Sequence, residues 1–256
     1  MIVRPTGDTA EVVTQVDHAV VSGILAEAWA ADGPDALAPR AAIVTAARLH
    51  DIGWRHWETA PRLNPDTGRP ANFLDVVIDE HLRLYRLGIE EVETADPWAG
   101  MLVSMHAAGI YTGRYGTQPA LLLSRAPDVQ AVVDAFVAEQ EAHYGGAKVA
   151  LGVTDDELWR AYVLLQVFDR LSLRLCQGDP AGPGPMEIAL PGERVLRVEP
   201  DAGCDRLDPW PFAADEIRVG IPTRTVPLAG YDGDDALGAA LAAAASEERT
   251  AVLRPA

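Results

Sequence analysis

Six side chains of the metal-binding kind sit inside apolar, helix-patterned runs of this chain, and that pattern restricts its fold more than composition does. His18 lies in Val16-Asp17-His18-Ala19-Val20-Val21, and His50 and Asp51 lie in Leu49-His50-Asp51-Ile52-Gly53-Trp54. His81 lies in Val77-Ile78-Asp79-Glu80-His81-Leu82, His106 in Leu102-Val103-Ser104-Met105-His106-Ala107, and Asp169 in Leu165-Gln166-Val167-Phe168-Asp169-Arg170-Leu171. A carboxylate is costly to bury unless it is paired or bound to a metal, so Asp169 in its apolar run demands a partner. The segments are about 25 to 60 positions apart, so separate helices must carry them, and a helical bundle with these side chains pointing inward is the fold that gathers them.

Taken in order, residues 1–8 read as a short strand ending in the turn signal Pro5-Thr6-Gly7-Asp8. Apolar residues then recur at helical spacing over 11–31, with Val13, Val16, Val20, Ile24 and Ala28 facing one core, Gln15 and His18 neighbours on one side, and Asp32-Gly33-Pro34 as the stop. A second helix is expected over 36–50, closed by Gly53, followed by an irregular loop over 58–72 that contains Pro61, Pro65, Gly68 and Pro70. Further helices are expected over 73–87, over 97–108 with Asp96 as N-cap, over 121–144, and from the capping-box pattern Thr154-Asp155-Asp156-Glu157 through Asp169 to Cys176. Composition changes at 178–185, a Pro/Gly linker, after which 186–190, 194–199, 216–227 and 250–253 alternate like strands and 234–248 reads as an alanine-rich helix. The expected fold is mainly α: a helical metal-binding domain over 1–177, the linker at 178–185, and a small β-rich C-terminal element over 186–256 packed on the bundle.

Composition removes several functions. Thirty-eight acidic against 21 basic side chains give a net charge of −17, which repels phosphodiester backbones and anionic membrane surfaces, so neither nucleic acid nor membrane is an expected partner. Lys148 is the single lysine and completes no phosphate-binding loop, and no Gly-x-Gly-x-x-Gly or Gly-x-Ser-x-Gly occurs. Cys176 and Cys204 form no Cys-x-x-Cys motif, and no leader pattern is present, so a cytoplasmic protein with reduced thiols is expected. Imidazole and carboxylate without thiolate suit iron, manganese or zinc in one or two divalent positions.

The order His18, His50-Asp51, Asp169 resembles the HD-domain superfamily of metal-dependent phosphohydrolases. That resemblance implies that His18, His50, Asp51 and Asp169 hold one metal, and that His81 and His106 add a second with Asp51 as bridge. A narrower likeness, carried by Gln15-Val16-Asp17-His18-Ala19, Leu49-His50-Asp51-Ile52-Gly53-Trp54, Gly68-Arg69-Pro70, the segment from Asp169 to Cys176, and Asp208-Pro209-Trp210-Pro211-Phe212, is to an uncharacterised bacterial HD-type family of unknown function. The chain departs from many HD phosphodiesterases in having Trp54 and Arg55, not lysine, after the His-Asp pair.

The resulting expectation is a hydrolase acting on a small phosphorylated, anionic substrate. Asp51 is at its centre, Gln15, Asp17 or Glu58 orient groups or carry protons, and Arg55, Arg69, Arg114 and Trp54 meet the substrate. Two alternatives stand beside it: a di-iron oxygenase of the inositol-oxygenase type, which uses the same ligand order, and a metal-containing binding module without chemistry. His56 and His143 are read as uninvolved, and a homodimer is left open.

Overall fold

The computed structural model describes residues 1–31, 33, 37–118, 126–178 and 184–256. It is a mainly helical bundle with a smaller sheet. The helices are α1 (Gln15–Ala28), α2 (Arg40–Leu49), the single turn α3 (Arg55–Glu58), α4 (Ile78–Ala95), α5 (Pro97–Tyr111), α6 (Pro127–Leu151), α7 (Asp155–Gln177) and α8 (Asp234–Ala243). The strands are β1 (Ile2–Thr6), β2 (Thr9–Val13), β3 (Met186–Leu190), β4 (Arg194–Asp201), β5 (Cys204–Asp208), β6 (Ile217–Pro227) and β7 (Glu247–Pro255).

Helix α5 is the axis of the bundle. It is apolar on all sides, every residue from 99 to 109 is buried, and it packs on α2, α4, α6 and α7. Asp96 caps it by accepting from the amides of Trp98 and Ala99 at 3.0 and 3.1 Å. Gly100 lets α4 come close, because a Cβ there would lie 2.5 Å from the Glu93 Cα. Helix α7 begins with the expected capping box between Thr154 and Glu157 and is buried along most of its length.

The sheet runs in the order β1-β2-β6-β7-β5-β4-β3, antiparallel throughout except where β5 pairs with β7. Its edge strands, β1 and β3, both touch α7, so the sheet wraps that helix and shares one apolar core with the bundle. Ile188, Leu196, Val198, Leu207, Val219, Ile221 and Leu253 supply its inward face. The Pro211-Phe212 segment closes the end of α1: Ala30 and Ala31 donate to the Pro211 carbonyl at 2.8 and 2.9 Å, and Trp29 meets Phe168 and Phe212 edge to face.

The structure corrects the expected elements in several places. Residues 9–13 form strand β2, paired with both β1 and β6, so the first helix starts at Gln15 and not at Glu11. The valine period that suggested helix carries on through the strand. The buried face of α1 is also displaced from the expected one: Val16, Val20, Ile24 and Ala28 are only partly buried, whereas Gln15, His18, Ala19, Ser22, Leu25 and Ala26 are buried. That helix turns its polar and small residues inward because a polar site lies there. The alanine-rich helix stops at Ala243, with Glu247 already in β7, and β5 has no counterpart in the expected elements. Most of the linker, together with Asp32, Pro34 and 121–125, lies outside the described residues.

Candidate metal centre

Three helices deliver the site. Thr14 caps α1 through a 2.9 Å bond from the Asp17 amide, which places His18 one turn in. α2 ends at Leu49, His50 is its C-cap, and Asp51 follows in the bridge region of backbone space (φ −112°, ψ 18°) before a 3₁₀ turn over Ile52–Trp54. Gly53 does not act as a left-handed helix terminator as expected. It allows backbone to meet backbone: a Cβ there would sit 2.0 Å from the Leu84 carbonyl oxygen and 2.9 Å from the Gly88 amide nitrogen of α4. α7 brings Asp169.

His18, His50 and Asp51 are buried, and one ligand atom from each lies within 4.8 Å of the others. The two imidazole Nε2 atoms are 3.3 Å apart. Asp51 Oδ2 lies 3.5 Å from His50 Nε2 and 3.9 Å from His18 Nε2, and Asp169 Oδ1 lies 3.6 and 3.2 Å from the same two atoms. Donors about 2.1 Å from a shared ion are about 3.0 to 3.4 Å apart in octahedral or tetrahedral geometry. The 3.3 and 3.2 Å separations fall in that range, and the longer ones, up to 3.9 Å, require the carboxylates to close on the rings by a few tenths of an ångström when one divalent ion is shared.

Hydrogen bonds behind the rings decide what the facing nitrogens are. His50 Nδ1 donates to the Ala47 carbonyl at 2.9 Å, a last-turn oxygen of α2 that the helix leaves open. The Ser172 hydroxyl donates to the Asp169 carbonyl at 2.9 Å, so it accepts from His18 Nδ1 at 3.0 Å. Both protons are thus held on Nδ1, and two Nε2 lone pairs face each other between carboxylates. A cation must stand there: a proton when no metal does, a metal ion when one is bound. Accordingly, burial pushes His50 down but Asp51 and Asp169 outweigh it, raising its pKa to about 9. Burial pushes Asp169 up, yet Arg114 and the two histidines hold it well below the usual carboxylate range. Replacing Ser172 with alanine is expected to weaken divalent-ion binding about 10- to 100-fold while leaving the fold intact, measured by competition with a chromophoric chelator. Unchanged affinity would show that Ser172 does not orient His18.

Asp51 is held from both sides. Gln15 Nε2 donates to Oδ2 at 3.3 Å, and the buried Tyr85 hydroxyl donates to Oδ1 at 3.2 Å. Gln15 Oε1 is buried without a partner among the described residues, so a water or substrate O–H fits against it. Glu58 accepts from the Gln15 amide at 2.6 Å and pairs with the Met1 amino group at 3.0 Å. Asp17 turns back to the Thr14 hydroxyl at 2.7 Å.

His106 and His81 stand outside the compact group. The His106 ring is 4.9 Å from that of His50, and its Nδ1 accepts from Gln166 Nε2 at 3.1 Å. Gln166 Oε1 accepts from Arg114, which orients the amide and leaves the His106 proton on Nε2, opposite to the tautomer of His18 and His50. Burial first, then the neighbouring His50, keeps His106 neutral. His81 bonds the Tyr111 hydroxyl through Nδ1 and lies between Trp54 and Tyr85, each with its ring centroid 5.0 Å away.

Of the described arginines, only Arg114 reaches the cluster, donating through Nη1 to Asp169 Oδ2 at 2.7 Å. Arg55 is exposed and pairs with Glu91 at 2.6 Å, and Arg69 is exposed in the turn closed by the Leu63–Pro70 bridge. Trp54 is buried, packed on Trp57 and His81. His56 is exposed, and His143 lies 3.5 Å from Glu93. Tyr85, Gln166 and Ser172 were not among the expected site residues, although helical spacing marks them: Tyr85 is four residues after His81, and Gln166 and Ser172 flank Asp169 at three.

Residues 1–228 match a protein family described as a protein of unknown function, DUF3891. The chain belongs to that family. No curated protein matches it, and no solved structure does. Among the described residues no helix is long and apolar enough to cross a membrane.

Proposed function

We propose that this chain is a metal-dependent hydrolase of a small phosphorylated, anionic substrate, built on one divalent ion held by His18, His50, Asp51 and Asp169. The observation that carries this reading is the pair of Nε2 lone pairs at 3.3 Å, each fixed by a hydrogen bond behind its ring and flanked by carboxylates. A divalent ion bound there supplies a lowered pKa for its water and polarises a phosphoryl oxygen. The chain's own residues do the rest. Gln15 and Tyr85 hold Asp51 in place, Ser172 and the Ala47 carbonyl aim the imidazoles, and Gln15 Oε1 offers an acceptor to an O–H beside Asp51. The Nε2–H tautomer of His106 favours a mononuclear centre, because that nitrogen carries a proton where a second metal would need a lone pair.

The oxygenase reading draws on a different feature: Trp54, Tyr85 and Tyr111 surround His81 and make that flank of the site dry and aromatic. Protein purified without chelator and without air separates the two, using elemental mass spectrometry, phosphate-release assays on small phosphomonoesters and an oxygen electrode. One ion per chain, retained in His81→Ala and lost in Asp51→Ala, with phosphate release, is the expected result. About two irons per chain, falling towards one in His81→Ala and accompanied by oxygen uptake, would replace the hydrolase with the oxygenase. An Asp51→Ala variant that alters partner binding, with no turnover of any kind in the wild type, would leave a binding module.

A further inference from the structure

Among the described residues, every side chain hydrogen-bonded to the candidate metal centre is buried except one. Gln15, Tyr85, Gln166 and Ser172 are at most 5% exposed, as are His18, His50, Asp51, His106 and Asp169, whereas the Arg114 side chain is 20% exposed. Arg114 therefore marks the side from which a solute approaches the cluster. Its backbone is unusual. Gly113, Arg114, Tyr115 and Gly116 have φ of 66°, 53°, 51° and 74°, a full left-handed turn in which two members carry a Cβ. A Cβ in this region crowds the backbone, so the turn persists only because its surroundings fix it. Tyr115 is the anchor, packed edge to face with Trp159 and Tyr162 at 5.7 and 5.9 Å and bonded to the Tyr144 hydroxyl at 3.4 Å. With Tyr115 turned outward into that aromatic cluster, its neighbour turns inward to Asp169.

The guanidinium is only half used. Nη1 donates to Asp169 Oδ2 and to Gln166 Oε1, while Nε and Nη2 have no partner among the described residues. That free edge carries two parallel N–H bonds, the arrangement that grips two oxygens of a phosphoryl or carboxylate group. Arg55 and Arg69 offer nothing comparable at the cluster, the first being paired with Glu91 and the second lying in an exposed turn.

We propose that Arg114 is the anion-binding residue of the site, taking two phosphoryl oxygens of the substrate on its Nε–Nη2 edge while Nη1 keeps Asp169 in place. This rests on the reading of the substrate as phosphorylated. The test titrates inorganic phosphate, followed by ³¹P NMR or calorimetry, into wild type, Arg114→Lys, Arg114→Gln, Arg55→Gln and Arg69→Gln, with acetate as a planar carboxylate for comparison. Melting temperature and metal content are recorded on the same samples. Phosphate affinity is expected to fall about tenfold or more in both Arg114 variants and to stay unchanged in the other two, with acetate binding more weakly than phosphate. Lysine keeps the charge and one bond to Asp169, so Arg114→Lys retains the fold and isolates loss of the two-pronged edge. Equal phosphate affinity in wild type and Arg114→Lys, with only the melting temperature changed, would reduce Arg114 to a structural prop and overturn the proposal. So would a wild type that binds no phosphate up to tens of millimolar, or one that prefers acetate. Absence of metal from every sample tells against the metalloenzyme reading, and the phosphate titration still decides for or against Arg114.

Discussion

Gly53→Ala is expected to leave little or no folded protein. An added Cβ would lie 2.0 Å from the Leu84 carbonyl oxygen, 3.0 Å from its carbonyl carbon and 2.9 Å from the Gly88 amide nitrogen. These are backbone atoms of α4, so no side chain can swing aside, and the 3₁₀ turn after Asp51 would have to part from the helix. The same separation breaks the bond by which Tyr85, next to Leu84, holds Asp51. Overpacking with rearrangement of this kind belongs to the rare class of substitutions worth about 4 kcal/mol or more, a large share of a domain's stability. Urea denaturation of the soluble fraction checks it. A midpoint within error of wild type would mean that the turn and α4 are further apart than described. Gly53→Ala should also be far more damaging than Gly145→Ala, where an added Cβ meets nothing within 4 Å.

The second large effect concerns pH and metal together. His50 has its pKa raised from the ordinary 6.5 to about 9 by Asp51 and Asp169, against the opposing pull of burial. A group raised on folding stabilises the native state fully below its unfolded pKa, and that contribution disappears as pH climbs through the folded value. Protein stripped of metal should therefore lose about 3 kcal/mol from this residue between pH 6.5 and 9. A bound divalent ion displaces the proton, so its apparent affinity rises over the same window and the loaded form escapes the loss. The stability gap between loaded and stripped protein should widen by about 3 kcal/mol from pH 6.5 to 9, with groups elsewhere, the Met1 amino group included, titrating alike in both forms and cancelling. Melting curves at matched pH with and without excess ion measure it. A gap that stays flat or narrows would mean that no shared proton lies between His18 and His50.

Much of the fold could be read in the chain, for identifiable reasons. Asp96-Pro97 and Thr154-x-x-Glu157 are local capping signals whose physics needs no tertiary partner, and both mark real helix starts. Strand β2 could not be read, because Val12 and Val13 continue the spacing of Val16 and Val20 and only the pairing with β1 and β6 makes them a strand. The inward face of α1 was misread for a related reason. Its buried stripe is Gln15, His18 and Ser22, polar residues that a hydrophobic period assigns to solvent unless a site is expected behind them. His18, His50 and Asp51 were visible as ligand types in apolar context. What orients them was not, since Ser172 and the Ala47 carbonyl acquire meaning only when α7 and α2 stand beside α1. Arg114 was one arginine among several in loops until its left-handed turn placed it on Asp169.

The central claim is that His18, His50 and Asp51, joined by Asp169, hold one divalent ion. Anomalous X-ray scattering from crystals grown with manganese or zinc tests it most directly, because the signal locates the ion without assuming any activity. The account predicts a single strong peak at about 2.0–2.3 Å from Nε2 of both His18 and His50 and from an oxygen of Asp51, with no second peak at His81. No peak at that position in ion-saturated crystals, or peaks confined to exposed carboxylates, would contradict it.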